Sequence, residues 1–257
     1  MHNRPVRREE LLIKSYDIDC MGTLKLQSLL GYFQEIAGNQ ATELGVGYQE
    51  LRQQGLLWVL SRIRIDITAM PAWRTPVSLT TWPKGVEKLF ALRDFRMVDA
   101  RQNSLLTATS AWLVLDGENN RPQRLDVLPV DIRHYDAEHA IADSLEKLKP
   151  GQPPSFRYEH PIMVSDLDVN DHVNNAEYIK WIVDCFGPDQ MRTHVVRSIQ
   201  INYLDEALFG DTIAVHVAEE SGDEKKLFVE GISRNRGSKV FQASLILRPL
   251  EPAADRQ

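Results

Sequence analysis

Leu26, Leu29, Leu30, Phe33, Ile36 and Ala37 recur at steps of three and four, the spacing that gathers apolar side chains on one face of a helix. Further on, Ala176, Tyr178, Ile179, Trp181, Ile182, Val183, Cys185 and Phe186 make a run that is apolar nearly all round. Such a run predicts a helix enclosed by other structure. Elsewhere the period changes to two. The stretches RIRIDI (Arg62 to Ile67) and SIQINY (Ser198 to Tyr203) alternate polar with apolar, as strands with one buried face do. Further strands are predicted from Val77 to Trp82, Leu89 to Val98 and Leu105 to Leu115, and again from Thr212 to Val217, Lys226 to Ile232 and Val240 to Leu247. Turn-forming sequences such as DGENN and RNRG separate them.

The order of elements occurs twice. Asp17-Ile18-Asp19 precedes the first helical run and Asp166-Leu167-Asp168 precedes the second, at an offset of 149 residues. Each half therefore reads as one long helix followed by several antiparallel strands, an α+β unit in which a curved sheet wraps the helix. The expected boundaries are a first domain over residues 1–120, a linker over 121–154 and a second domain over 155–257. The proline and charge content of RPQRLDVLP and KLKPGQPP suits a connection on the surface.

Composition narrows the functional classes. At 257 residues and 43% hydrophobic content the chain can bury a sizeable core. Thirty Lys and Arg against 36 Asp and Glu give a net charge of −6, which lends no general support to nucleic acid or an anionic membrane as the main partner. No apolar run approaches the roughly 18 residues of a membrane span, and MHNRPVRREELL lacks the apolar core of a signal peptide, so a cytoplasmic protein is expected. Cys20 and Cys185 lie far apart and form no CxxC pattern. His134, His139, His160, His172 and His194 do not pair as HxH or HExxH with nearby carboxylates, and no metal site is expected.

One stretch stands out. SDLDVNDHVNNAEYIKW, from Ser165 to Trp181, sets aspartates, asparagines and a histidine directly ahead of the second helical run. With SRIRIDI, TTWPKG and FALRDF in the first half and INYLDEALFGD in the second, it closely resembles the acyl-acyl carrier protein (acyl-ACP) thioesterases of plants and bacteria. The resemblance extends over nearly the whole chain. It implies a tandem double hot-dog fold and hydrolysis of acyl-ACP to a free fatty acid and the carrier protein, ending chain elongation. It also implies catalytic positions at Asp168, Asn170, His172 and Glu206, with no cofactor. Some plant members carry a cysteine just after that glutamate; the position here is Ala207, which argues against a cysteine nucleophile.

Thioester hydrolysis requires an activated water and stabilisation of the oxyanion that forms. Within the implied set Glu206 is expected as general base, acting with His172, while Asn170 orients water or substrate and Asp168 holds its neighbours. A largely apolar tunnel around Glu206 would raise its pKa towards neutrality. A helix starting near Val173 or Asn174 would offer free N–H groups as an oxyanion hole; Asp168, Asn170 and Asn174 could equally be helix caps. The repeat is an internal control: the 149 offset sets Met21 opposite Asn170 and Thr23 opposite His172, while an offset of 136 sets Met70 opposite Glu206. The first half lacks three of the four types and is free to shape an acyl pocket, for which Leu29, Phe33, Ile36, Trp58 and Leu60 are candidates, each equally a core residue.

An acidic carrier protein would call for a basic docking patch, drawn from Arg62, Arg64, Arg93, Arg197 and Lys180. An acyl-CoA thioesterase of the same fold is the enzymatic alternative, and an acyl-binding module the non-enzymatic one. The chain is expected as a monomer or a homodimer.

Overall fold

The computed structural model describes residues 5–130, 139–220 and 224–250. The chain divides into two compact units, Met1–Glu146 and Lys147–Gln257. In the first, β1 (Arg7–Leu12) and a 3₁₀ turn precede α1 (Leu26–Glu43) and α2 (Tyr48–Gln53); then come β2 (Leu56–Ile67), β3 (Pro76–Glu87), β4 (Phe90–Asp99) and β5 (Ser104–Asp116). Its strands are ordered β1-β3-β4-β5-β2, all neighbours antiparallel. The second unit has β6 (Ser155–Pro161), a 3₁₀ turn, α3 (Asn175–Val183), α4 (Pro188–Thr193), β7 (His194–Tyr203), β8 (Thr212–Glu220), β9 (Lys225–Ser233) and β10 (Lys239–Pro249). Its order, β6-β8-β9-β10-β7, repeats the first position for position.

In each unit the helix lies on its sheet. Ile63, Ile65, Leu79, Phe95 and Met97 form the buried sheet face of the first unit, and Leu29, Leu30, Phe33 and Ile36 the buried face of α1. The Phe33 and Phe95 rings stack at 4.4 Å. Each such side chain contributes about 1.5–3 kcal/mol by leaving water. In the second unit Tyr178 and Trp181 of α3 meet Phe241 at centroid distances of 5.6 and 6.4 Å, and Tyr178 meets Tyr203 at 5.3 Å. Gly231 pairs with Phe241 across the sheet, and a Cβ there would fall 2.1 Å from the phenyl ring. Only glycine leaves room for that ring.

Every strand expected from alternation is present, but β1 and β6 are additional. Each ends the strand order of its unit with a single partner there, so polar residues are tolerated along much of RREELL and SFRYEHP and the apolar signal is thin. Helix α1 runs past Ala37 to Glu43, whereas α3 stops at Val183, leaving Cys185 and Phe186 in the turn ahead of Gly187-Pro188. The presumed surface linker also differs from expectation. Leu125, Leu128, Ile141 and Leu145 are buried. Arg62 donates to the Leu145 carbonyl, Lys84 to the Ile141 carbonyl, and Asp94 accepts from the Ala140 N–H at 2.7 Å. Residues 139–146 are thus a strap belonging to the first unit.

Candidate active site

The loop that leads into α3 is shaped by its own side chains. Asp168 Oδ1 accepts from the Asn170 N–H at 2.8 Å and the His172 N–H at 3.4 Å, and the Asp168 N–H donates to the His172 carbonyl at 2.8 Å. The turn is closed by Asp171 in the left-handed region at φ 59°, a conformation aspartate tolerates better than most residues. A second segment, 204–211, runs against the loop: His172 and Leu208 form an isolated bridge, and the Val173 N–H donates to the Ala207 carbonyl at 3.1 Å. That pairing brings Glu206 to the histidine, with His172 Nε2 and Glu206 Oε2 3.2 Å apart.

The first unit contains the same loop without the same side chains. Asp19 Oδ1 accepts from the Met21 N–H at 2.8 Å and the Thr23 N–H at 3.1 Å, and the Asp19 N–H donates to the Thr23 carbonyl. Gly22 takes the left-handed place of Asp171, and Arg74 that of Gly210. Thr23 bridges to Ala72 as His172 does to Leu208. Asp19 makes these bonds beside Met21 and Thr23, so the turn forms in the first unit without an asparagine or a histidine.

The expectation for Val173 and Asn174 is corrected. The Val173 N–H is committed to Ala207 and the Asn174 N–H to the Asp166 carbonyl at 2.8 Å, so neither amide is open to an oxyanion. Asn174 is the N-cap of α3, its side chain accepting from the Ala176 N–H at 2.9 Å. Asn175 is the first helical residue, and its N–H has no acceptor among the described residues. Its carbonyl is tied down by the Tyr203 hydroxyl at 3.0 Å. Enclosure of Glu206 within its unit is also not found: its side chain is 40% exposed and that of His172 47%. Asn170 is exposed on the same turn.

Tyr178, absent from the expected set, meets the segment that carries Glu206 at Ala207. Burial holds its hydroxyl far above the ordinary tyrosine range, and the Ala207 N–H donates to it. Cys185 is buried with its thiol against the Trp181 carbonyl, and burial pushes its pKa up to about 12, which suits a packing thiol. Among the proposed pocket residues, Leu29, Phe33, Ile36 and Leu60 are fully packed, and Trp58 donates to the Val46 carbonyl at 2.9 Å at the margin of a core cluster.

The docking candidates all have protein partners. Arg64 pairs with Asp66 and Asp143, Arg197 with Glu224 and Lys180 with Glu177, while Arg62 holds the strap. Arg93 points inward to Gln40 and Thr81, and burial pushes its pKa down to about 10. Among the described residues no three His, Cys, Asp or Glu side chains converge as a metal site, and no helix is long and apolar enough to cross a membrane; His134 lies outside the described residues.

Comparison with known proteins gives this arrangement a context. The chain is 29% identical over 217 residues to the chloroplastic acyl-ACP hydrolase FATB2 of Cuphea viscosissima, covering 78% of this chain and 52% of that one. It is 25% identical over 234 residues to a chloroplastic oleoyl-acyl carrier protein thioesterase of Arabidopsis thaliana, covering 84% of this chain and 64% of that one. The chain thus spans about half the length of the first curated relatives it matches. The crystal structure of an acyl-ACP thioesterase from Bacteroides thetaiotaomicron superposes with a TM-score of 0.80 at 25% identity, covering 95% of this chain and 98% of that one. For the 12:0-ACP thioesterase of Umbellularia californica the TM-score is also 0.80, at 21% identity, with 97% and 99% covered. The fold is the tandem double hot-dog of these enzymes. The family model for the acyl-ACP thioesterase N-terminal domain matches residues 5–131 and that for the C-terminal domain residues 152–248, and the chain belongs to the acyl-ACP thioesterase family.

Proposed function

We propose that this chain hydrolyses the thioester of acyl-ACP, with the chemistry carried by the second unit. The observation behind this reading is the 3.2 Å contact between His172 Nε2 and Glu206 Oε2, formed where the first unit places Thr23 and Met70. A carboxylate and an imidazole at that distance can take a proton from a water between them and the thioester carbon. As the water oxygen attacks, the carbonyl oxygen gains charge. The Asn175 N–H at the start of α3, rather than those of Val173 or Asn174, is the proposed donor to that oxyanion. When the carbon–sulfur bond breaks, the proton held by the pair goes to the departing thiolate. Asn170 orients the water or the thioester, and Asp168 acts through the turn.

The first unit, without these side chains, is the proposed lining for the acyl chain, with Leu29, Phe33, Ile36, Trp58 and Leu60 as its determinants. Acyl-loaded carrier protein is the partner. The test is thiol release from matched acyl-ACP and acyl-CoA esters over a range of chain lengths. Preferential turnover of the carrier-protein esters is expected; equal or faster turnover of the CoA esters would overturn the substrate assignment.

A further inference from the structure

The segment that carries Glu206 is gripped from a third place in the second unit. Arg236, in the turn between β9 and β10, donates from Nη2 to the Glu206 carbonyl. Its Nη1 pairs with Asp205 Oδ2 at 3.0 Å, and Nη2 lies 3.6 Å from Asp211 Oδ2. The turn is itself braced. The Arg236 N–H donates to Ser233 Oγ at 3.0 Å, Ser238 Oγ donates to Asp205 Oδ2 at 2.8 Å, and Gly237 is left-handed at φ 69°. One guanidinium therefore bridges the residues on either side of the peptide that presents the base, using the forked donor geometry that lysine lacks.

The first unit shows what happens where the chemistry is absent. The equivalent strand connection is Asp99 to Asn103, one residue shorter, with Gln102 left-handed in place of Gly237. Asp99 there accepts from the Arg101 and Asn103 N–H groups of its own turn. The 136 offset puts Ala69, Met70 and Thr75 opposite Asp205, Glu206 and Asp211, so none of the three acidic side chains has a counterpart. The clamp and the base occur in the same copy.

We infer that Arg236 is the positioning residue for Glu206, holding the 205–211 segment in the register that meets His172 and neutralising the carboxylates on either side of the base. This rests on the proposed roles of Glu206 and His172. Among the described residues His172 pairs with the base, Arg236 from the strand turn pairs with Asp205 and Asp211 of the segment that carries the base, and Tyr178 of α3 feels the charges of Asp168, Asp205 and Arg236. Without Arg236 the remaining local charge is dominated by carboxylates, which favours the protonated form of a nearby acid.

The experiment compares the wild type with Arg236→Met, Arg236→Lys and the double variant Asp205→Asn with Arg236→Met. The readouts are kcat, KM and the pH–rate profile with acyl-ACP, beside thermal melting. Arg236→Met is expected to lower kcat about tenfold with KM within about twofold, the cost of a misplaced catalytic group. Its acid limb should move to higher pH, because a cation is lost from the segment that carries the base. Arg236→Lys should lose rate with the limb in place, because it keeps the charge without the fork. The double variant should bring the limb back towards the wild type. Unchanged kcat and limb in folded Arg236→Met would overturn the inference; if that variant does not fold, full activity of Arg236→Lys would do so. Glu206→Gln and His172→Ala in the same assay separate the two claims: their full activity sinks the site assignment, whereas their loss beside an unaffected Arg236→Met sinks the clamp alone.

Discussion

Asp168 and Asp19 make the same turn in the two units, and substituting both separates architecture from chemistry. Asp19→Ala removes acceptance from the Met21 N–H at 2.8 Å, the Thr23 N–H at 3.1 Å and the Thr23 hydroxyl at 3.2 Å. Asp168→Ala removes one bond of 2.8 Å and a weak one of 3.4 Å. At about 0.5–1.5 kcal/mol net per hydrogen bond in partly exposed turns, Asp19→Ala should cost about 2 kcal/mol and Asp168→Ala about 1 kcal/mol. For a chain of this size that corresponds to roughly 2–4 °C in melting temperature per kcal/mol. Activity should follow the opposite order. Releasing the turn lets His172 drift from Glu206, so Asp168→Ala should lose on the order of a hundredfold in kcat, whereas Asp19→Ala should stay near wild type. Asp168→Asn keeps an acceptor oxygen and should retain most of the rate. The assays are thermal melting and steady-state hydrolysis of one acyl-ACP ester. If Asp168→Asn is as inactive as Asp168→Ala, the carboxylate itself does chemistry and the turn-holding role is wrong.

Other consequences are equally direct. Gly231→Ala drives a methyl into the enclosed Phe241 ring and should destabilise by about 3 kcal/mol, the upper end for overpacking, as read by denaturant unfolding. Native protein treated with a thiol reagent at neutral pH should modify Cys20, which is exposed, and spare Cys185, whose thiol burial keeps protonated to about pH 12; equal labelling would contradict the packing role. Asp94 is buried with its pKa raised above 3.8 by desolvation, while Lys84 opposes that rise. A carboxyl whose folded pKa is raised costs stability as pH climbs through that range, so Lys84→Met should destabilise the fold more at pH 7 than at pH 4, by about 3 kcal/mol at the upper pH, as read by denaturant unfolding at the two pH values. Phe33→Ala and Ile36→Ala should shift chain-length preference towards longer acyl groups, read by thiol release over a series of acyl-ACP esters; an unchanged preference would make them core residues alone.

Much of the fold is legible because period and repetition agree. RIRIDI and SIQINY face their odd and even positions as alternation requires, with Ile63, Ile65, Ile199 and Ile201 buried. The two offsets found in sequence, 149 and 136, recur in the backbone as matched left-handed residues, Gly22 with Asp171 and Arg74 with Gly210. What was illegible lies where the apolar pattern is thin or the partner is distant in sequence. In β1 and β6 the strand pairs on one side within its unit and needs little apolar content. The 139–146 strap is held by Lys84, Arg62 and Asp94 from strands far off in sequence. Arg236 sits in RNRG, which reads as turn punctuation, and its link to Glu206 exists only once β10 folds back on β9. The expected helix start near Val173 or Asn174 fell before the Asn174 cap rather than after it, and both of those amides are committed within the loop.

The central claim is that thioester chemistry belongs to the His172–Glu206 pair of the second unit, and that the matching positions of the first do none. The most direct test is kcat/KM for one acyl-ACP ester in His172→Ala and Glu206→Gln, beside Thr23→Ala and Met70→Ala. The account predicts a loss of at least about a hundredfold in each of the first two, with the last two close to wild type. Wild-type rates in His172→Ala or Glu206→Gln, or a comparable loss in both first-unit variants, would contradict it.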